Sequence, residues 1–390
     1  MVARLDTMNT SQVQGLPQEE TAFPRRFRNR NPLILRQIVS PSVLEQWSSH
    51  PEHVVQALNR TVSGAGAGEG EEPLLPVMVA EDAKNFMDNP QFTKKIDMTA
   101  REIVARVLLQ RQRQELPEEA MMEVVVPQLE VLQEETLQAQ DDLMVAEEEE
   151  VAVPTISSAS SAATITAAAG PPTICPYCEN QDIDNNHIDT HTTIQNRRFY
   201  YRGMVPATLY DSLNIPALLT SLSLPQTTTS FANVPNKDLM RIWVSLAGAT
   251  TPLHYDRCHG ILIQLVGRKR FVIFSHEDTH GLYPYDGISG PGHASKVRGL
   301  GHCFPLSSLS METKDKEYQE HLDENMAEVQ RRWPKIRNTT PWIVDLEPGD
   351  ALYTPLGFWH EVTSVDHSVS ITVPWDMDAN ELQSVPRHMI

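Results

Sequence analysis

Beyond residue 197 the chain is a series of short apolar runs punctuated by glycine and proline. Arg241 to Ala247, Gly260 to Val266, Arg270 to Phe274, Trp342 to Leu346, Ala351 to Thr354 and Ser368 to Val373 are rich in β-branched residues and bounded by turn formers, which predicts strands. Gly267-Arg268-Lys269 has the character of a hairpin connection between the second and third of these. Many short strands with such punctuation indicate a sandwich or barrel, not a parallel sheet. One helical interruption is expected, Lys314 to Arg332, and charges on most of its faces place it at the surface. No internal repeat is visible.

The N-terminal part is mixed. A basic strip, Arg25, Arg26, Arg28 and Arg30, runs into a strand-like segment from Asn31 to Val39. Ser40-Pro41 then supplies a helix start, with proline at the first helical position, leading through Leu44 and Trp47. After a Gly/Glu-rich loop, Gly64 to Glu72, Pro76 to Ala80 predicts a second short strand. Thr99-Ala100-Arg101-Glu102 is a capping-box pattern, and Ile103, Val104, Val107 and Leu108 follow on one helical face. From about Arg113 the sequence turns Glu/Gln-rich and then Ala/Ser/Thr-rich. Such composition buries too little apolar surface to offset ordering entropy, so residues 112–172 are expected to be mostly disordered, with transient helix around Val131. The expected division is a flexible leader (1–22), an N-terminal part of the folded domain (23–111), an acidic low-complexity insert (112–196) and a strand-dominated core (197–390).

Charge sharpens that division. The formal charge of the 390 residues is −19, from 32 Lys+Arg and 51 Asp+Glu. Between Gln114 and Asn196 there are 17 Asp+Glu and no Lys or Arg, so this window holds −17 and the remainder only −2. A near-neutral core disfavours nucleic acid as a partner. Four cysteines do not make a disulfide framework, and Met1 to Glu20 holds no apolar signal-peptide core. The uncharged run from Val151 to Cys178 falls short of a spanning helix. An intracellular protein, in cytoplasm or nucleus and without membrane attachment, is the expectation.

Candidate chemistry gathers at Thr251-Pro-Leu-His254-Tyr-Asp256 and at Gly349-Asp350 through Trp359-His360. His254 and Asp256 are two apart at a strand end, so period-two alternation points both to one face. With His360 they would give two imidazoles and a carboxylate on one side of a metal, leaving positions open, as in non-haem Fe(II) oxygenases. Taken alone, His-x-Asp is weak, and the plain alternative is a surface histidine, a turn aspartate and a satisfied core histidine. Lys269 adds weight. Inside a barrel it needs an anionic partner such as a dicarboxylate, although by itself it would pass for an exposed turn lysine.

On these motifs the chain from about Phe23 to Trp375, apart from the insert, resembles the Jumonji-C (JmjC) group of Fe(II)- and 2-oxoglutarate-dependent oxygenases. It is most similar to the small hydroxylase branch that includes factor inhibiting hypoxia-inducible factor. Gln264-Leu-Val-Gly-Arg-Lys269-Arg270, Leu282-Tyr-Pro-Tyr-Asp286, Pro348-Gly-Asp350 and the Asn31–Arg36 segment with Trp47 carry the likeness alongside the two stretches above. The resemblance implies a mainly β fold, a double-stranded β-helix (jelly-roll or cupin) core with flanking helices. It makes His254, Asp256 and His360 ligands of Fe(II), Lys269 the partner of the distal carboxylate of 2-oxoglutarate, and Thr251 a hydrogen-bond donor to that carboxylate. Tyr200 or Tyr201 would share this last task, and adjacency allows only one to point inward. The cosubstrates would be 2-oxoglutarate and O2 and the substrate a protein side chain. Two departures stand out: where the branch often has asparagine, this chain has Gly260 and Pro374.

Two further functions compete with hydroxylation: removal of an N-methyl group from lysine, and a non-catalytic binding module. Cys175, Cys178, His187 and His191 form C-x2-C-x8-H-x3-H, a candidate zinc set whose spacer is shorter than the ~12 residues of a finger. Coincidence in a polar loop is the preferred reading of it. His259, His276, His280, His293, His302 and His367 are expected to be loop or surface histidines, and the basic strip a solvated arm. The acidic insert reads as a solvating spacer, with docking to a basic partner as the functional alternative.

Overall fold

A computed structural model describes residues 6–9, 27, 30–61, 72–80, 93–115, 198–205, 207–213, 215, 218, 239–288, 290–305 and 316–376. The strands are β1 (Asp6–Asn9), β2 (Leu33–Arg36), β3 (Leu74–Ala80), β4 (Thr93–Thr99), β5 (Arg198–Met204), β6 (Arg241–Ser245) and β7 (Thr250–Tyr255). They continue with β8 (His259–Val266), β9 (Lys269–Phe274), β10 (Trp342–Leu346), β11 (Ala351–Thr354), β12 (Trp359–Ser364) and β13 (Ser368–Trp375). The helices are α1 (Pro41–Ser49), α2 (Pro51–Asn59), α3 (Ala100–Glu115), α4 (Ala207–Ser212) and α5 (Lys316–Arg332).

Two sheets face each other in a jelly roll. The larger has the order β1-β2-β11-β8-β13-β6-β5-β3-β4 and the smaller β10-β9-β12-β7. Every pairing is antiparallel except β1 with β2. Segments before and after the acidic stretch thus share one sheet, with β3 from the N-terminal part hydrogen-bonded to β5. Chain contacts separate one unit, Met1–Gln114 with Asn196–Ile390, from a second, Glu115–Gln195. The second unit lies outside the described residues apart from the end of α3, and with it the expected disorder of the insert and the Cys175, Cys178, His187, His191 set. Of the basic strip, only Arg30 is described.

Alternation assigns the faces. In β13, Val369, Ile371 and Val373 join the outer core with Trp47, Val54 and Leu58 of α1 and α2, while Ser368 and Ser370 face inward. The interior between the sheets is packed by Phe271, Ile273, Val344, Leu346, Leu352 and Phe358. The outer face of the small sheet, with Leu253, Tyr255, Val272 and Trp359, lies under Leu300, Val329 and Ile336. Buried Leu322 and Val329 dock α5, otherwise charged as expected. The capping box at Thr99 forms in both directions: Thr99 N donates to Glu102 Oε2 at 2.7 Å and Glu102 N to Thr99 Oγ1 at 3.1 Å. Ser40 occupies the N-cap position of α1 without a side-chain cap bond.

One expected connection is different. Gly267-Arg268 does not join paired strands, because β8 belongs to the large sheet and β9 to the small one. The turn instead carries the chain across the interior. Gly267 has φ +66, and a Cβ there would meet the His367 carbonyl oxygen at 2.0 Å, so only glycine fits this crossing. Arg268 holds the turn to Asp366, Nε to Oδ2, at 2.7 Å. Local sequence sees a tight turn but not which sheet each flanking strand joins.

Candidate metal centre

The centre is built on two adjacent strands of the small sheet. The β7–β12 register puts His254 directly opposite His360, and then Thr251 opposite Val362. Three residues on β7 span what two span on β12, so β7 is bulged around Pro252, which has no N–H to give a ladder. The bulge brings Thr251 and His254 to one face, which a regular strand would not do for residues three apart. Asp256 follows β7, its carbonyl accepting from Gly357 N at 3.0 Å. Backbone pairing therefore fixes all three side chains.

His254 Nε2 lies 3.9 Å from Asp256 Oδ1, and His360 Nε2 lies 3.7 Å from Asp256 Oδ2. One ligand atom from each of the three falls within 4.8 Å of the others. The other ring nitrogens are engaged: His254 Nδ1 with the Pro252 carbonyl at 2.8 Å and His360 Nδ1 with the Phe358 carbonyl at 3.0 Å. A carbonyl only accepts, so each Nδ1 carries the proton and each Nε2 turns a lone pair toward the shared space. Burial, with His254 next, pushes the pKa of His360 down to about 4, which keeps it a neutral ligand near neutral pH. The donor set fits a divalent transition metal with open coordination positions.

Deeper in the interior, Lys269 is 4% exposed. Its Nζ donates to Ser370 Oγ on the opposite sheet at 2.8 Å, and burial lowers its pKa to about 7. Ser245 and Ser364 share a hydroxyl contact at 2.7 Å nearby in the register. Tyr200 shares a hydrogen bond with Thr251, and burial raises its pKa. Tyr201 points the other way, into the outer core, and bonds Thr61. Of the two tyrosines, Tyr200 is thus the one facing the interior. Ser370 escaped the sequence reading. Its signal is the alternation of small hydroxyls with branched apolars in Ser368-Val-Ser-Ile-Thr372, which marks a polar inner face.

Gly260 and Pro374 lie opposite each other on β8 and β13. A Cβ at Gly260 would meet nothing within 4 Å, so the missing asparagine leaves open room there. Gly260→Ala is expected to raise stability by about 0.5–1 kcal/mol through the unfolded-chain entropy of a strand glycine. Chemical denaturation checks this, and a destabilised variant would mean that the room is filled.

One of the six other histidines is not where expected. His259 is 0% exposed and lies in β8, whereas His367, though 5% exposed, is in the turn between β12 and β13. His259 stacks on Tyr353 and Trp375, and its Nδ1 accepts from Leu356 N at 3.3 Å, so apolar packing rather than solvent decides its place. A surface cleft of about 520 Å³, lined among others by His276, His280, Tyr283 and Lys335, includes none of the triad.

Residues 20–381 match the cupin-like domain family. The chain belongs to that family. The cupin-like domain here is 29% identical to Jumonji C domain-containing protein 5 of Drosophila melanogaster over 163 residues, 42% of this chain and 34% of that protein. It is 26% identical to Lysine-specific demethylase 8 of Xenopus tropicalis over 161 residues, 41% of this chain and 30% of that protein. Against human HSPB1-associated protein 1 it is 30% identical over 147 residues, 37% and 25% of the two chains. These matches span about a third or less of the relatives' length. No helix among the described residues is long and apolar enough to cross a membrane.

Proposed function

We propose that this cupin-like protein is an Fe(II)- and 2-oxoglutarate-dependent dioxygenase of the small JmjC hydroxylase type, acting on a protein side chain. The observation that carries the reading is the facing pair His254 and His360, each with Nδ1 held by a carbonyl and Nε2 turned toward Asp256. Iron(II) bound there would supply activation of O2, coupled to oxidative decarboxylation of 2-oxoglutarate to succinate and CO2 and to insertion of one oxygen into a substrate C–H bond.

The chain's own residues would bind and orient. Lys269 would pair with the distal carboxylate of 2-oxoglutarate, with Thr251 giving a hydrogen bond and Tyr200 sharing it. Ser370 holds the amine in place across the interior. The apolar packing of Phe271, Ile273 and Phe358 keeps water from the inner wall. Exposed Asp256, 58% by side chain, lies on the side where substrate enters.

A pH dependence follows from Lys269. With its pKa lowered to about 7, the free amine is charged below that pH and neutral above it. Binding a dicarboxylate at higher pH must then take up a proton, so affinity for 2-oxoglutarate should fall by up to about tenfold per pH unit above 7. Calorimetric titration without oxygen tests this, and Lys269→Met should both weaken binding and flatten the profile. A flat profile in the unaltered protein would remove Lys269 from the role.

Relatives named lysine-specific demethylases support a second outcome at the same site, hydroxylation of an N-methyl group. Incubation with Fe(II), 2-oxoglutarate and candidate proteins, read by mass spectrometry, separates them. A product heavier by one oxygen is expected; one lighter by a methylene would establish demethylation. Failure to bind either Fe(II) or 2-oxoglutarate would leave a non-catalytic binding module.

A further inference from the structure

The two sheets are unequal in width, and the metal-bearing strand β7 is the last of the smaller one. The larger sheet continues past β6 through β5, β3 and β4. Its inner face therefore extends beyond the candidate metal centre as a shelf. Leu75, Val77 and Val79 of β3 point to the outer core, which leaves Leu74, Pro76 and Met78 on the shelf. The register sets Arg202 opposite Trp243 and Met204 opposite Arg241, and Met78 opposite both Tyr200 and Lys95. Leu74 is 58% exposed and Met204 46%, while Arg202 and Lys95 are also exposed.

Among the described residues, charge on the shelf is mainly positive: Arg202, Arg241 and Lys95 against Asp97, which pairs in register with Pro76. The Arg202 guanidinium sits 5.1 Å from the Trp243 ring centre, and Trp243 Nε1 is fixed by Thr372 Oγ1 at 2.9 Å. Arg241 donates to the Met240 carbonyl at 2.8 Å. Its pKa is lowered by burial and then by Arg202. Arg202 stands two residues, about 7 Å, along β5 from Tyr200, whose hydroxyl bonds Thr251 on the strand that carries His254.

We propose that this shelf binds an extended acidic segment of the protein substrate, with Arg202 and Arg241 engaging a carboxylate that flanks the reacting residue. The proposal rests on the oxygenase reading above and names the substrate class for it. The guanidinium over the indole is placed for a carboxylate, and exposed Leu74 and Met204 with half-buried Met78 give apolar side chains of the same segment something to cover. A cationic methyl-lysine tail meets like charge at the same place, so the shelf favours hydroxylation over demethylation.

The test is fluorescence anisotropy on the full-length protein with Fe(II) and 2-oxoglutarate under oxygen-free conditions, using labelled acidic, neutral and basic peptides of equal length. The acidic peptide should bind at least about tenfold more tightly than the neutral one and weaken with salt. Arg202→Glu/Arg241→Glu should reverse the preference, and Arg202→Gln/Arg241→Gln, a milder change, should abolish it. Equal binding of the three peptides, a preference that survives both variants, or tighter binding of a single-stranded oligonucleotide would overturn the proposal. Iron occupancy measured on the same samples distinguishes this failure from failure of the oxygenase reading.

Discussion

Asp256→Ala is expected to cut iron-dependent formation of succinate from 2-oxoglutarate by at least about 100-fold while leaving the fold unchanged. Loss of a partner one shell out from a metal already costs about 10–100-fold, and Asp256 is the only anionic member of the triad. Without it two neutral imidazoles remain, His360 held neutral by burial, and nothing offsets the metal's charge. Because the Asp256 side chain is 58% exposed and outside the packed interior, its removal should alter unfolding free energy by no more than about 0.5 kcal/mol. This makes it a cleaner variant than His360→Ala, which opens a hole beside Phe271 and Phe358. Succinate assay and denaturant titration on the same preparation read both halves. Retained turnover would take the carboxylate out of the metal site, and with it the oxygenase reading.

A second large effect is expected far from the chemistry. Asp345→Ala should destabilise the protein by about 3–5 kcal/mol, because it strands a buried guanidinium. Arg270 and Asp345 face each other across β9 and β10, bonded twice, Nε to Oδ1 at 2.7 Å and Nη2 to Oδ2 at 2.8 Å, with side chains 3% and 6% exposed. The same guanidinium reaches the carbonyls of Gly301, Phe304 and Pro305, so it also holds that loop over the small sheet. Replacing both partners, Arg270→Met with Asp345→Leu, removes the stranded charge and should recover a good part of the loss. Urea titration of the single and double variants decides it. A single variant as stable as the parent would mean that water or another group reaches Arg270.

The candidate site was legible in part because residue types that can ligate a metal are few and their spacing follows strand geometry. His254 and Asp256 are two apart, and a period of two is visible in one dimension. His360 is different. Its place opposite His254 depends on β12 pairing with β7 over a separation of more than a hundred residues, and on a bulge at Pro252 that no local pattern announces. Thr251 joins the same face only through that bulge. Strand β12 itself was missed, since Trp359-His360-Glu361-Val362 alternates two buried environments rather than polar with apolar. Both faces of the small sheet are covered, which removes the usual contrast. His259 was misplaced for a related reason: polarity predicts the surface, but stacking on Tyr353 and Trp375 can bury a ring.

The sequence by itself determined the class of fold, the type of donor atoms and the confinement of −17 of the charge to one window, because strand periodicity, ligand chemistry and composition are local properties. Tertiary structure alone decided which of Tyr200 and Tyr201 faces the interior, that Ser370 receives the Lys269 amine, and that Gly267-Arg268 crosses between sheets. It also decided that the larger sheet extends past the candidate metal centre, with Arg202 and Arg241 on that extension. Each of these depends on which strands pair and in what register, a choice made by burial over the whole chain and invisible to any short stretch of it.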